Sequence, residues 1–196
     1  MIYCVVLAAG LSSRFHSPKA LADYNGRPVI NHILKTILNT HINGIQIILG
    51  AHKEILEPQI LKHTHISIVY NKDYNLGQTS SFQAGVRSLP KDTTGIILWP
   101  VDFPFIQPST INQMIEIFHH NKDKIIIPSF QNRKGHPAFF CASLKEDILS
   151  LDHNKGINTL IHNHANNTTV LPVNDEGVLL SFNTQEEWRA LQDKIK

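Results

Sequence analysis

An apolar run of six residues leads directly into a loop of small residues at the start of this chain. Residues 2–7 read IYCVVL, a pattern expected for a strand that is buried on both faces of a parallel sheet. Ala8, Ala9 and Gly10 follow at once, and such small residues let a loop backbone approach a ligand closely. We therefore predict an α/β fold in which the first strand ends at a binding loop.

The residues after Gly10 give this loop the character of an anion site. Ser12 and Ser13 supply hydroxyl groups, and Arg14 and Lys19 supply two positive charges. Backbone N–H groups at the end of a strand can form a concavity that binds anions, and nearby cations neutralise the charge of a polyphosphate. The segment has neither the G-x-x-x-x-G-K-[ST] pattern of a P-loop nor the G-x-G-x-x-G pattern of a dinucleotide-binding loop. The spacing predicts a different polyphosphate site, with a surface connection of incidental charge as the alternative.

The composition argues against several classes of protein. The 196 residues include 18 Lys and Arg against 16 Asp and Glu, and no basic stripe interleaved with aromatic residues is present. We therefore predict no nucleic-acid partner. No apolar run reaches the roughly 18 residues of a membrane span, and the N-terminus lacks the basic region of a signal peptide. We expect a cytoplasmic protein that does not contact a membrane.

Cysteine and histidine usage does not predict a structural metal. Cys4 and Cys141 lie far apart in apolar segments, as expected for free thiols in a reducing compartment. Two histidine pairs, at 119–120 and at 162 and 164, lack cysteine or carboxylate partners at zinc spacing.

Strand-like and helix-like patterns alternate along the chain, without repeats or linkers. This alternation predicts a single domain, 1–196, built as a three-layer, doubly wound and mostly parallel sheet of the Rossmann-like type. Ligands of such sheets bind outside the carboxyl ends of the strands, so functional residues should follow strands. We predict strands at 2–7, 45–49, 66–70, 95–99, 124–128 and 136–141, and helices at 28–40, 53–61, 79–88, 108–120, 143–150, 156–163 and 184–194.

A carboxylate at a strand end is the second candidate feature. Asp102 follows the apolar run at 95–99 and is flanked by Pro100 and Pro104. Mg²⁺ bound with a nucleoside triphosphate uses only one or two protein carboxylates, together with phosphate oxygens and water. We predict that Asp102 holds Mg²⁺; the alternative is a turn aspartate that caps the helix beginning near Pro108.

Two further segments have the composition of binding turns. Gly77 is followed by Thr79, Ser80 and Ser81 at a predicted helix N-terminus, which suits an anion or base site as well as a plain helix cap. Residues 133–137 read RKGHP, a shaped turn with two cations that could contact an anionic acceptor or form a basic surface hairpin.

The last candidate lies near the C-terminus. Residues 177–182 predict a strand, followed by a turn and a final helix in which Thr184 is the N-cap and Glu187 closes a capping box. Asn183, between strand and helix, could ligate Mg²⁺ through its amide oxygen.

These segments resemble the molybdenum-cofactor cytidylyltransferases and their MobA-like relatives. The stretch from Leu7 to Arg14, with Lys19, is similar to their loop motif L-A-A-G-x-S-x-R-[MF]-G-x-x-K, which wraps a nucleoside triphosphate. Asp102 stands where the family has its Mg²⁺-binding aspartate.

Two other motifs extend the resemblance over most of the chain. Residues 75–85 are similar to N-L-G-x-S-x-S-x-x-x-G, which lies near the nucleotide base, although Thr79 replaces a serine. Residues 133–140 are similar to R-x-G-H-P-x-x-F, which precedes a strand facing the acceptor. The site residues implied are Leu7, Ala8, Ala9, Gly10, Ser12, Ser13, Arg14, Lys19, Gly77, Thr79, Ser80 and Ser81 for the nucleotide; Arg133, Gly135 and His136 for the acceptor; Asp102 and Asn183 for the metal; and Arg14, Lys19 and Asp102 for catalysis.

The resemblance implies a Mg²⁺-dependent transfer of CMP from CTP to a phosphate-bearing acceptor, molybdopterin cofactor, with release of pyrophosphate. The acceptor phosphate would attack the α-phosphorus in line, a reaction that depends on positioning and charge neutralisation. The amides of Ala9 to Ser12 would cradle the β- and γ-phosphates, Arg14 would stabilise the leaving pyrophosphate, and Lys19 would contact the α-phosphate. A transient contact with a molybdoenzyme or its chaperone is also implied.

Departures from the family pattern keep other functions open. His16 replaces a glycine, and would be strained if the turn requires a positive φ. Ala9 favours CTP, because its methyl group narrows the base pocket, whereas Asn183 and Thr184 match the N-x-N-T-P-E segment of guanylyl-transferring relatives. The alternatives are a guanylyltransferase, a sugar- or polyol-phosphate nucleotidyltransferase, and a catalytically degenerate nucleotide-binding regulator.

Overall fold

The apolar segment at the N-terminus forms a strand in the interior of an eight-stranded sheet. The computed structural model describes residues 1–120 and 124–195, and the sheet is built from those residues. The strands in chain order are β1 (Ile2–Leu7), β2 (Asp23–Tyr24), β3 (Arg27–Pro28), β4 (Gly44–Leu49), β5 (Ile66–Tyr70), β6 (Gly95–Pro100), β7 (Ile125–Phe130), β8 (Arg133–Lys134), β9 (Ala138–Cys141) and β10 (Thr168–Pro172).

Most strand pairs of this sheet are parallel. The order is β10-β7-β9-β6-β1-β4-β5, β8 pairs with β7, and β2 and β3 form a separate hairpin. β1 runs parallel to β4 and β6, while β9 is antiparallel to both β6 and β7. Leu7 is in register with Ile48 of β4 and Pro100 of β6, so three strands end at the same edge. The predicted α/β fold with a mostly parallel sheet is confirmed.

Helices cover both faces of the sheet, as the apolar pattern of its strands requires. The helices are α1 (Val29–Leu38), α2 (Lys53–Leu56), α3 (Gln78–Ser88), α4 (Pro108–His120), α5 (Lys145–Ser150), α6 (Ile157–Asn163) and α7 (Gln185–Ile195). Cys4 and Val6 face α1 and α4, whereas Val5 and Leu7 face α3, α5 and α6. Because successive side chains of a strand point to opposite faces, a strand buried on both faces is apolar throughout.

A third, aromatic cluster lies outside these two layers and joins the ends of the chain. The buried ring of Phe182 lies 5.4 Å from that of Phe15 and 4.5 Å from that of Trp188, between ring centroids. Trp188 also donates a hydrogen bond from Nε1 to the carbonyl of Asp23. This packing fixes the start of α7 against the loop that follows β1.

The structure corrects the predicted strand at 177–182. Residues Glu176–Leu179 form a short 3₁₀ helix instead. The buried carboxylate of Asp175 accepts hydrogen bonds from the backbone N–H of Gly177 and of Gln107, and from the hydroxyl of Thr110. These bonds tie the segment to the start of α4 rather than to the sheet.

Other differences from prediction have local causes. The predicted helix at 53–61 ends at Leu56 and continues as a 3₁₀ turn over Glu57–Gln59, which contains Pro58. β9 begins at Ala138 rather than at residue 136, because Pro137 has no N–H to donate to a sheet. β10 and the hairpin of β2 and β3 are not predicted, since they are short and lack a long apolar run. The remaining elements are present, most with ends shifted by one or two residues.

None of the helices formed by residues 1–120 and 124–195 is both long and apolar enough to cross a membrane.

Replacing Phe182 with alanine tests the contribution of the aromatic cluster. Removal of a fully buried phenylalanine should lower the free energy of unfolding by about 3–5 kcal/mol, measured by urea denaturation. Val170→Ala, at a site that is 40% exposed, is the matched control and should cost no more than about 0.5 kcal/mol. A loss below about 1 kcal/mol for Phe182→Ala would mean that the cluster does not anchor α7.

Candidate active site

A cleft of about 390 Å³ lies at the shared carboxyl edge of β1 and β6, where ligands of parallel sheets bind. The loop after β1 forms one wall, and the turn before α3 forms another. Most of the predicted nucleotide-binding residues meet here. The lining residues are Leu7, Ala8, Ala9, Gly10, Leu11, Ser12, Ser13, Arg14, Pro18, Lys19, Ala20, Leu56, Tyr74, Asn75, Gly77, Gln78, Ser81, Pro100, Val101 and Asp102.

The loop after β1 is held in a compact turn by its own hydrogen bonds. Ser12 Oγ accepts a hydrogen bond from the backbone N–H of Lys19 at 3.2 Å, which closes the segment between them. His52 Nε2 lies 3.0 Å from the carbonyl oxygen of Leu11, to which its N–H can donate. Ser12 and His16 have φ of 52° and 60°. The turn therefore does require a left-handed residue where relatives have glycine, and His16 carries the expected strain.

Several backbone N–H groups of this loop, whose residues line the cleft, have no hydrogen-bond partner within residues 1–120 and 124–195. Among the described residues, no hydrogen-bond acceptor pairs with the amides of Ala9, Gly10, Leu11 or Ser12. Buried or partly buried amides are normally paired, so a run of free N–H groups at a strand end is suited to an anion.

Three charges and one amide form the polar centre of the cleft. Lys19 Nζ lies 3.6 Å from Asp102 Oδ2, and the two side chains are 14% and 25% exposed. Asn183 Oδ1 accepts a hydrogen bond from Lys19 Nζ at 2.9 Å and another from Arg14 Nη2 at 3.0 Å. Lys19 also lies 5.8 Å from the ring centroid of Phe182, within cation–π range. The two cations and the carboxylate are thus brought together as the sequence predicts.

The start of α7 holds Asn183 in place. Thr184 Oγ1 accepts a hydrogen bond from the backbone N–H of Glu187 at 3.2 Å, so Thr184 is the helix N-cap. The carboxylate of Glu187 accepts from the N–H of Asn183, one residue before the cap, in a variant of the predicted capping box. Gln185 donates from its side-chain amide to the carbonyl of Phe15, which joins the helix start to the loop.

Asp102 suits a divalent cation better than Asn183 does. A single partly exposed carboxylate beside a phosphate-sized cleft is the protein contribution that Mg²⁺ commonly uses, the rest coming from phosphate and water. Both lone pairs of Asn183 Oδ1 already accept hydrogen bonds from cations. Within the described ranges, no cluster of three or more histidine, cysteine, aspartate or glutamate side chains forms a cage for a metal.

The hydroxyl residues in the first turn of α3 place fewer side chains in the cleft than the sequence predicts. Gly77 and Ser81 line the cleft, whereas the side chains of Thr79 and Ser80 do not. Thr79 Oγ1 donates to the carbonyl of Lys155, and Ser80 Oγ donates to backbone carbonyls within its own turn. Both are buried, because successive positions at a helix start point in different directions. Tyr74, Asn75 and Gln78, which flank Gly77 and were missed from the sequence, line the cleft instead.

A second concavity, a groove of about 590 Å³, lies between α6 and the sheet. Of the predicted acceptor residues, Gly135 and His136 line it and Arg133 does not. Arg133 and Lys134 are consecutive on β8 and point to opposite faces, so Lys134 enters the groove and Arg133 is left exposed outside it. The full lining is Ile127, Lys134, Gly135, His136, Ala138, Asn158, Ile161, His162, Ala165, Thr168 and Val170.

His136 connects this groove with the cleft. Its ring centroid lies 4.3 Å from that of Phe103, the residue after Asp102, and its backbone N–H donates to the carbonyl of Val178. Burial lowers the pKa of His136, and the nearby carboxylate of Asp102 offsets part of that effect. The imidazole is therefore neutral at pH 7. Its buried Nδ1 has no hydrogen-bond partner among the described residues.

Gly50 supports the loop that lines the cleft, and the sequence analysis does not predict this role. It follows β4 directly, and a Cβ at this position would lie 2.8 Å from the carbonyl oxygen of Ala9 and 2.6 Å from the Cβ of Tyr74. The next residue, Ala51, donates its N–H to the same Ala9 carbonyl at 3.1 Å. Its position at the end of a strand is the sequence signal that could have predicted this role, because a close approach between backbones at such a position requires glycine.

This geometry agrees with comparisons of the whole chain. Residues 4–168 match the family model for the MobA-like NTP transferase domain. The chain belongs to this family. It is accordingly a nucleotidyltransferase.

Individual relatives of the MobA-like chain have different names. It is 27% identical to a probable molybdenum cofactor guanylyltransferase of Thermococcus sibiricus, over 75% of this chain and 70% of the relative. It is also 27% identical to a nicotine blue oxidoreductase of Paenarthrobacter nicotinovorans, over 74% of each chain. A Mycobacterium tuberculosis protein crystallised in complex with manganese shares the fold with a TM-score of 0.81 at 24% identity, covering 98% of both chains.

Gly50→Ala should disturb the binding loop through a single methyl group. The close approach to the Ala9 carbonyl forces the loop after β1 to shift, so we expect a loss of about 1–3 kcal/mol in unfolding free energy and weaker triphosphate binding. Gly156→Ala is the matched control, since Gly156 has φ of −70° and nothing within 4 Å of an added Cβ. Equal effects of the two substitutions in denaturation and calorimetric titration would contradict this role of Gly50.

The lowered pKa of His136 predicts a pH dependence of stability. The unfolded chain binds a proton at an ordinary pKa of about 6.5, and the folded chain binds it at a lower pH. Stability is therefore lost as the pH falls below about 6.5, and His136→Gln should reduce that loss between pH 7 and pH 5. The exposed His162→Gln is the control. An unchanged pH slope for His136→Gln in urea denaturation would show that this histidine does not contribute.

Proposed function

We propose that this nucleotidyltransferase transfers CMP from CTP to a phosphate-bearing acceptor of the molybdopterin type and releases pyrophosphate. The observation that carries the proposal is that Lys19 and Asp102 line a triphosphate-sized cleft, while His136 of a second groove packs against Phe103, the residue after Asp102. An acceptor phosphate oxygen forms a bond to the α-phosphorus, and the bond from that phosphorus to the bridging oxygen of the β-phosphate breaks. The electron pair of that bond leaves with pyrophosphate.

The loop after β1 binds and neutralises the triphosphate in this reaction. The free amides of Ala9 to Ser12 donate to the β- and γ-phosphates, and Arg14 balances the charge that accumulates on the leaving pyrophosphate. Lys19, the less exposed cation, contacts the α-phosphate as charge develops there. These groups are held in place before substrate binds, so little reorganisation accompanies the reaction.

The carboxylate of Asp102 would hold Mg²⁺ in this reaction. The ion would supply positive charge that neutralises part of the charge on the phosphates. The fit rests on the one partly exposed carboxylate beside the cleft, and the crystallised manganese complex of a protein with the same fold agrees with a divalent ion.

The groove between α6 and the sheet binds the acceptor. Lys134 contributes a positive charge for the acceptor phosphate, and His136 lies at the side nearest Asp102. The apolar side chains of Ile161 and Val170 in the lining provide a surface for a ring system that lacks charge.

The preference for CTP rests on Ala9. This residue lines the cleft, and guanylyl-transferring relatives tend to have glycine at this position, so its methyl group would narrow the pocket for a purine base. The guanylyltransferase of Thermococcus sibiricus makes transfer of GMP the second candidate. Ala9→Gly should shift the preference toward GTP, because it enlarges the base pocket by one methyl group.

Binding of nucleotides should depend on both Mg²⁺ and Asp102. We expect CTP with Mg²⁺ to raise the melting temperature by about 5–10 °C at 100 times its dissociation constant, more than ATP, GTP or UTP does. Asp102→Ala should abolish the Mg²⁺-dependent part of this rise, and Ala9→Gly should increase the rise with GTP. If GTP raises the melting temperature of the wild type more than CTP does, the protein is instead a guanylyltransferase.

Measurements of turnover distinguish between molybdopterin and other phosphate-bearing acceptors. Pyrophosphate release should occur with CTP and molybdopterin, and Asp102→Ala or Lys19→Ala should lower kcat by about 10²–10³. Lys134→Ala should raise KM for the acceptor, while Arg133→Ala on the opposite face serves as its control. Release with glucose 1-phosphate or a polyol phosphate in place of molybdopterin would contradict the proposed acceptor. Nucleotide binding without turnover on any acceptor would indicate a regulator.

A further inference from the structure

Asn183 lies beside the cleft and contacts both cations that line it, Arg14 and Lys19. Its Oδ1 accepts one hydrogen bond from Arg14 and one from Lys19, at 3.0 and 2.9 Å. A carbonyl oxygen has two lone pairs, and both are used here. Its backbone N–H is held in turn by the carboxylate of Glu187. The side chain is thus fixed to α7 on one side and bonded to two cations on the other.

The neutrality of this acceptor determines the charge of the site. Arg14 and Lys19 carry two positive charges, and the Asp102 carboxylate balances one of them. An amide at 183 holds both cations in place and leaves one net positive charge for a phosphate. A carboxylate at the same position would cancel that remaining charge and would bind the cations too strongly for a ligand to compete.

The two cations are long side chains on a loop that contains two residues with a left-handed backbone. Arg14 follows Ser12, which has a left-handed backbone, and Lys19 lies beyond the strained His16. A long side chain on such a loop loses rotamer freedom when it binds a ligand. A shared acceptor that orders both side chains beforehand lowers that entropic cost of binding.

We propose that Asn183 is a positioning residue that orients Arg14 and Lys19 for the triphosphate, independently of any metal. The inference deepens the proposed function and rests on it, and it replaces the sequence-based expectation that Asn183 ligates Mg²⁺. The polyphosphate shares the two cations with the amide oxygen, which stays bonded to them, while Asp102 alone would supply the protein ligand of the ion. Asn183 thereby acts on the phosphates through the cations.

Binding of inorganic tripolyphosphate in the presence of EDTA tests this role, because the probe has neither a base nor a metal. Asn183→Ala should weaken this metal-free binding about tenfold in calorimetric titration, because the two cations lose the acceptor that orders them before the ligand binds. Asn183→Asp should weaken it to a similar extent and should bind Mn²⁺ without nucleotide, detected by electron paramagnetic resonance. Wild type should not bind Mn²⁺ without nucleotide. Asn166→Ala, on the exposed turn Ala165–Asn167, is the matched control.

Steady-state kinetics provides a second readout. Asn183→Ala should raise KM for CTP by the same factor as it weakens tripolyphosphate binding. Asn183→Asp keeps the size of the side chain and the bond from Glu187 to its N–H, so it reports on charge if the alanine variant folds poorly.

The outcomes separate this inference from the proposed function. One result would overturn the inference while the proposed function stands. Both variants would bind tripolyphosphate in EDTA with wild-type affinity, and their binding of CTP would be weakened only when Mn²⁺ is present. Asn183 would then be a metal ligand. Failure of the wild type to bind either tripolyphosphate or CTP with Mn²⁺ would overturn both.

Discussion

The contact between Asn183 and the cations of the first loop connects the two ends of this chain at its active site. Arg14 and Lys19 follow the first strand, whereas Asn183 precedes the last helix. Between them, the aromatic cluster of Phe15, Phe182 and Trp188 provides the buried area that holds helix and loop together. A cleft that must bind several negative charges needs cations that do not collapse onto the nearest carboxylate. The amide oxygen supplies an acceptor that restrains both cations without neutralising them.

The sheet determines where these groups can meet. β1, β4 and β6 are parallel and end in register, so the loop after β1, Gly50 after β4 and Asp102 after β6 converge at one edge. The antiparallel β9 is inserted next to β6, which brings the turn that carries His136 to the same edge. His136 of the groove beside α6 packs there against Phe103, the residue after Asp102 of the cleft.

The sequence was sufficient for the sheet and for the grouping of the residues after β1 at one cleft, because both depend on local patterns. A two-sided apolar strand followed by small residues, hydroxyls and cations has few other uses. Contacts across the sheet could not be predicted in this way. Thr79 and Ser80 have the composition of a binding turn, but their hydroxyls satisfy buried carbonyls, which depends on the register of α3. Arg133 and Lys134 are adjacent cations that the sequence does not distinguish. The pleat of β8 directs Lys134, and not Arg133, into the groove. The sequence predicts Asn183 as a site residue, but it does not predict the hydrogen bonds from Arg14 and Lys19 to its side chain.

A crystal structure of the protein with Mn²⁺ and a non-hydrolysable CTP analogue tests the central claim most directly, because anomalous scattering locates the ion independently of the coordinates. The account predicts an ion on the Asp102 carboxylate and on phosphate oxygens, and a triphosphate bonded to the amides of Ala9 to Ser12. Asn183 should remain on Arg14 or Lys19 and outside the coordination sphere of the ion. An ion bound by Asn183, or a triphosphate placed away from the first loop, would contradict it.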